Sequence, residues 1–149
     1  MAKPHETGWA AEAHKVLAQN GHHSGKARRS LLELLDSQPC ALSAIEIEQQ
    51  LRASRRPVAR ASIYRILDEL ERLHLVQRVQ VGHDMARYEP IRGGEGHHHH
   101  LVCDSCGAVT PFTDEGLEAA IRSLSRRLPM HVDDHEIVLR GACETCNPA

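Results

Sequence analysis

The chain has 149 residues, a formal charge of -2, five cysteines and twelve histidines. That length accommodates one ordinary domain or two small ones, and in small domains burial alone need not stabilise each half. No apolar run approaches the ~20 residues of a membrane span, and none near Met1 resembles a secretion signal, so the expected location is the reducing cytoplasm, where thiols serve metals more readily than disulfides.

The charge is unevenly placed. Residues 1–90 carry 13 Lys/Arg against 11 Asp/Glu, whereas residues 91–149 carry 5 against 9, which makes the amino-terminal half the better partner for a polyanion. Residues 1–25 hold a weakly amphipathic stretch over about 10–17 that ends at Gly21, read as a short helix in a mobile arm. From Lys26, the spacing Ala27, Leu31, Leu34, Leu35 predicts a helix that buries one face and stops before Pro39. Ser43-Ala44-Ile45-Glu46 is a capping box, with Leu42 and Ile47 placed as a hydrophobic staple, and predicts a helix through Leu51. Pro57 breaks the chain. Ser62 is then expected to cap a third helix whose Ile63, Ile66, Leu67, Leu70 and Leu73 form a buried stripe, leaving Tyr64, Arg65 and Asp68 outside. Val79 and Val81 alternate with polar residues, Gly82-His83-Asp84 offers a turn, and Ala86 to Glu89 can return as a second strand.

Helix, helix, helix, hairpin is the order of a winged helix, so residues 1–90 are assigned to such a domain. The glycine-rich IRGGEG at residues 91–96 is read as a hinge. Residues 97–149 read as strand (97–103), strand (108–112), helix (114–128) and strand (136–140), a small α/β domain in an α+β chain. So small a sheet with one covering helix leaves apolar surface open, which predicts pairing with a second copy.

Two knuckles, Cys103-x-x-Cys106 and Cys143-x-x-Cys146, have the spacing that brings thiolate pairs to one tetrahedral ion at ~2.3 Å. Four thiolates leave that ion no open position, so structural zinc is expected. A redox pair would sit at a helix start, and neither knuckle precedes a helical pattern. The run His97–His100 is stranger. On a strand, alternate side chains point to opposite faces, so His97 and His99 share one side while His98 and His100 share the other. Two ions are implied, each needing ligands from elsewhere: Glu118 with His135 or His131 on one side, Glu89 on the other. A histidine run can also be no more than a solvated loop with low metal affinity.

The segments ASIYRILDELERLHLVQRV, ARYEP, HHHHLVCDSCG, LEAAI and HEIVLRGACETC, in this order, resemble the ferric uptake regulator family of metal-responsive repressors, of iron or zinc uptake type, from about Lys26 to Cys146. The resemblance implies a cytoplasmic homodimer with an amino-terminal winged helix and a carboxyl-terminal dimerisation domain. When loaded with metal, it would bind an AT-rich pseudo-palindromic operator of double-stranded DNA. It implies structural Zn(II) on Cys103, Cys106, Cys143 and Cys146. A hinge sensory site for Fe(II) or Zn(II) falls on Glu89, His98 and His100, and a dimerisation-domain site on His97, His99, Glu118 and His135. Tyr64, Arg65, Arg60 and Lys26 or Arg28 are implied as DNA contacts.

The sequence departs from the family pattern in three places. A histidine usual in the hinge site is replaced by Ala41, with Cys40 beside it as either a soft ligand that would favour zinc or a small core side chain. A frequent carboxylate becomes Pro111. The stretch before Arg28 lacks the usual threonine-containing signature. A repressor of metal-homeostasis genes is therefore expected. A peroxide-responsive relative and a metal-storage protein stand as alternatives, and no nucleophile and base pair points to an enzyme.

Overall fold

The chain divides into two units, residues 1–95 and 96–149. The computed structural model describes residues 8–81, 85–92 and 97–147; the expected turn at Gly82-His83-Asp84 and residues 93–96 of the expected hinge lie outside the described residues. Among the described residues no helix is long and apolar enough to cross a membrane.

In the amino-terminal unit, α1 (Trp9–Gln19), α2 (Lys26–Ser37), α3 (Ala44–Ala53) and α4 (Arg60–Arg72) pack with a sheet of order β1-β3-β2, formed by β1 (Leu42–Ser43), β2 (Val76–Val81) and β3 (Met85–Pro90). α1 is not the loose arm read from its weak amphipathicity. Trp9, Ala13 and Leu17, one helical turn apart, enter the common core, and the Trp9 indole N–H donates to the Leu75 carbonyl at 3.0 Å. An apolar stripe of only three residues suffices because the aromatic one carries a large buried area.

The capping box forms as read: the Ser43 hydroxyl accepts from the Glu46 N–H, and the Glu46 carboxylate accepts from the Ser43 N–H at 2.8 Å. Leu42 and Ile47 are both buried. The expected Ser62 cap does not form. α4 starts three residues earlier than that cap implies, at Arg60, after Ala59, and has no side-chain cap. After Pro57 the backbone enters helix as soon as Val58 is anchored in the core, which places Ser62 inside the first turn. The stripe of α4 forms from Ile63, Ile66, Leu67 and Leu70, with Ile63, Leu67 and Leu70 fully buried and Tyr64 and Arg65 exposed, whereas the expected Leu73 lies just past the helix end and is only half-buried. Each fully buried Leu or Ile contributes roughly 1.5–3 kcal/mol of transfer free energy, so this stripe fixes α4 against α2 and α3.

In the carboxyl-terminal unit, β4 (His99–Cys103) lies between β5 (Val109–Phe112), antiparallel to it, and β6 (Val138–Gly141), parallel to it. α5 (Glu115–Ser125) begins at an Asp114 cap whose carboxylate accepts from the Leu117 N–H. It ends before the predicted Leu128, the chain continuing in turns at Arg127 and Leu128. No residue of α5 is fully buried. Leu101, Leu124, Leu128, Met130 and Leu139 are all exposed, an apolar surface of the kind a monomeric domain rarely leaves open.

Candidate metal centres and the DNA-facing helix

The four knuckle cysteines converge: their sulfur atoms all lie within 4.8 Å of one another. Cys106 and Cys143 are 3.8 Å apart, close to the ~3.8 Å edge of a tetrahedron with ~2.3 Å metal–sulfur bonds and far from a disulfide length. The first knuckle turns through Gly107 at φ +74°, a left-handed conformation that glycine adopts without a Cβ penalty. The Gly107 N–H donates to the Cys103 carbonyl at 2.8 Å. The second closes through Cys146 and Asn147 N–H groups on the Cys143 carbonyl.

Backbone donors already favour thiolate here. The Cys143 N–H donates to the Cys103 sulfur at 3.3 Å, and this bond, with the Cys106 N–H, pulls the Cys103 thiol down to about 6. Cys143 is lowered, chiefly by the Cys146 N–H. Cys146 is pushed up to about 12 by the neighbouring thiols, Cys143 first. Four sulfurs this close cannot all ionise without a cation among them, and a divalent ion with tetrahedral sulfur coordination fits the set.

The histidine run divides as strand geometry requires, although β4 begins only at His99. His97 and His99 rings stand 4.6 Å apart, and His98 and His100 rings 5.0 Å apart. The first pair meets Glu118 of α5 and His135, which precedes β6 by three residues. His99 Nε2 lies 2.6 Å from Glu118 Oε1, His135 Nε2 lies 3.1 Å from Oε2, and His97 Nε2 lies 3.1 Å from His135 Nε2. All four ligand atoms fall within 4.8 Å. Three imidazole nitrogens and a carboxylate aimed at one point suit zinc or ferrous iron. The carboxyl of Glu118 is held below the usual range, first by the bond to His99 and then by that to His135, so it is ready as an anionic ligand. Of the two rivals named from sequence, His135 is the one present; His131 pairs with Asp133 in open solvent. Pro111 sits in β5 opposite His100 and offers no ligand.

The residues expected at the hinge site belong to different units. In the carboxyl-terminal unit His98 is half-buried and His100 buried. In the amino-terminal unit Glu89 is a buried carboxylate on β3, accepting a hydrogen bond from Gln77, its register partner on β2. Cys40 is a half-buried free thiol just before β1.

Among the expected DNA contacts, Tyr64 is 44% exposed, and Arg65 and Lys26 are also exposed. Arg28 already has partners within the chain. It is turned inward, donating to Glu69 of α4 and to the His23 carbonyl, because Glu69 is itself largely shielded and needs a counter-charge. Arg60 is held by Glu48. Sequence reading missed both carboxylates. The Glu48–Arg52 spacing of i, i+4 was the available signal; Arg28 and Glu69 lie 41 residues apart and left none.

The ferric uptake regulator family model matches residues 19–140. The ferric uptake regulation protein of Bacillus subtilis is 31% identical over 115 residues, 76% of this chain and 77% of that protein. Among solved structures, the Helicobacter pylori ferric uptake regulator, in which three functional metal-binding sites were found, superposes with a TM-score of 0.79 at 23% identity, covering 93% of this chain and 91% of the other. The Vibrio cholerae regulator gives 0.76 at 27% identity, covering 87% and 98%. The chain belongs to the ferric uptake regulator family, whose members are metal-responsive transcription regulators that bind DNA, act as dimers and are not enzymes.

Proposed function

We propose that this protein is a homodimeric repressor that binds an AT-rich pseudo-palindromic operator when its histidine sites hold Zn(II) or Fe(II). The observation that carries the proposal is the division of one histidine run into two pairs on opposite sides of β4, one of them already closed by Glu118 and His135. The sulfur cluster takes structural Zn(II), and four thiolates leave it no position for chemistry.

His98, His100, Glu89 and Cys40 form the sensory site. A single ion held by residues from both units restricts the swing between them. Two recognition helices must stand about one helical turn of DNA apart, ~34 Å, so an ion that binds the DNA-competent arrangement better than the others shifts the population toward it. A Cys40 thiolate in that set would favour zinc over ferrous iron, since the softer ligand selects the softer ion. The exposed leucines of the carboxyl-terminal unit cover each other in the dimer. At the DNA, Tyr64 of α4 packs against thymine methyls in the major groove, with Arg65, Arg60 and Lys26 on base edges or phosphates. Glu89, where peroxide-sensing relatives tend to carry aspartate, disfavours that variant.

A gel shift on a duplex selected from a random library, run with metal and then with chelator, tests the reading. Metal-dependent retardation is expected. Retardation that chelator does not change contradicts metal control, and none under either condition contradicts DNA binding.

A further inference from the structure

Glu48 lies on α3 with its side chain only 14% exposed. Its Oε2 accepts from Arg60 Nε at 2.7 Å and lies 2.6 Å from Arg60 Nη2. Its other oxygen accepts from Arg52 at 3.2 Å. Arg60 is the first residue of α4, the second helix of the helix-turn-helix, whose amino-terminal end is the part that meets base edges. It stands four residues before exposed Tyr64 and so shares its face.

We propose that Glu48 is a positioning residue for DNA specificity. It locks the Nε edge of Arg60, so that the outer Nη1/Nη2 fork reads O6 and N7 of one guanine per half-site rather than a phosphate. This rests on the DNA-binding reading above and assigns chemistry to one of its contacts.

The geometry separates the two roles. A phosphate is attracted by net charge, and a carboxylate at 2.6 Å cancels one positive charge at that corner, so Glu48 works against a phosphate contact. A guanine is read by a planar fork in a fixed direction. Holding one edge of the guanidinium removes most of the rotamer freedom that would otherwise be lost on binding, and it leaves two parallel N–H groups outward. Neutralising one of two clustered cations also lowers attraction to any DNA, since each neutralised phosphate contributes about 0.9 to the salt slope. The same carboxylate thus raises preference for the right base and lowers affinity for the wrong sequence. Both arginine partners are more than half exposed, at 72% and 54%, so the pairing contributes little to stability, and Glu48→Gln, which keeps the shape of the shielded side chain, leaves the fold in place.

The test uses the full chain loaded with Zn(II). A random duplex library is selected with the wild-type protein, and binding to the selected duplex, its single-base variants and an unrelated duplex is then measured against salt. The wild type is expected to select one guanine per half-site that Arg60→Ala no longer distinguishes, a loss of about ten- to hundredfold in discrimination at that position alone. Arg60→Lys should lose the same preference while keeping the salt slope. Glu48→Gln should weaken the preference while raising affinity for the unrelated duplex and steepening its salt slope. Uniform weakening of all duplexes by Arg60→Ala, with a slope lower by about one, would make Arg60 a phosphate contact and overturn the inference. So would an unchanged base preference in Glu48→Gln. A wild-type protein that selects no sequence overturns the proposed function itself, an outcome distinct from either.

Discussion

Glu46 performs two tasks at once, and its replacement by alanine should cost more than a helix cap. Its carboxylate accepts the Ser43 N–H at 2.8 Å and lies 2.6 Å from Arg87 Nη1 on β3. Loss of a capping residue costs about 1 kcal/mol. Loss of the ion pair is the larger effect, because the Arg87 side chain is only 10% exposed and would lose this carboxylate as its counter-charge. Breaking a buried pair costs about 3–5 kcal/mol. Glu46 is itself 35% exposed, so water reaches the site and the lower end, discounted to about 2–3 kcal/mol, is the better figure. The sum is about 3–4 kcal/mol, a large share of the 5–15 kcal/mol typical of a domain. Trp9, the single tryptophan of the chain, lies in the core of the same unit, so its fluorescence during urea unfolding reports on this unit alone. Glu46→Gln, which retains an acceptor but no charge, should lose about half as much. A Glu46→Ala loss below about 1 kcal/mol would refute the idea that a shielded guanidinium depends on this carboxylate.

Cys143→Ser should release one tightly held zinc per chain, read by elemental analysis, and loosen the carboxyl-terminal unit. Retention of the metal with unchanged stability would contradict the sulfur site. Glu118→Ala should abolish metal uptake by His97, His99 and His135 while the sulfur-bound zinc stays. The pH dependence of that uptake has a definite sign. The Glu118 carboxyl is already depressed by His99, so it stays ionised, with its contribution intact, above the ordinary carboxylate range and loses it only at lower pH. Protons and metal compete for the same ligand atoms, so uptake followed by titration should fall as pH is lowered. Uptake that did not weaken as pH was lowered would contradict binding by these side chains.

Much of this was legible in the residues because it depends on local chemistry. The Ser43–Glu46 box and the stripe Ile63, Ile66, Leu67, Leu70 are set by spacing along one helix. The split of the histidine run follows from strand pleat, and the two Cys-x-x-Cys turns follow from ligand reach. Contacts distant in sequence were not legible. Leu42–Ser43 is a two-residue strand that exists only because it pairs with Arg87 and Tyr88. The docking of α1 depends on a carbonyl of Leu75 that no pattern near Trp9 announces. Ser62 misled because a good cap residue was outweighed by where Val58 and Ile63 bury, and the Arg28–Glu69 pair left no signal because its partners lie on separate helices. The choice between His135 and His131 needed the path of the chain before β6.

An ion on His98 and His100 is expected to switch DNA binding on. Fluorescence anisotropy of a library-selected duplex, titrated with protein freed of its weakly held metal and then given Zn(II) or Fe(II), measures it. In the wild type the added ion should strengthen binding by at least tenfold, whereas His98→Ala should keep the dimer and the sulfur-bound zinc and gain nothing. A His98→Ala protein that still shows the full metal-induced gain would contradict the account.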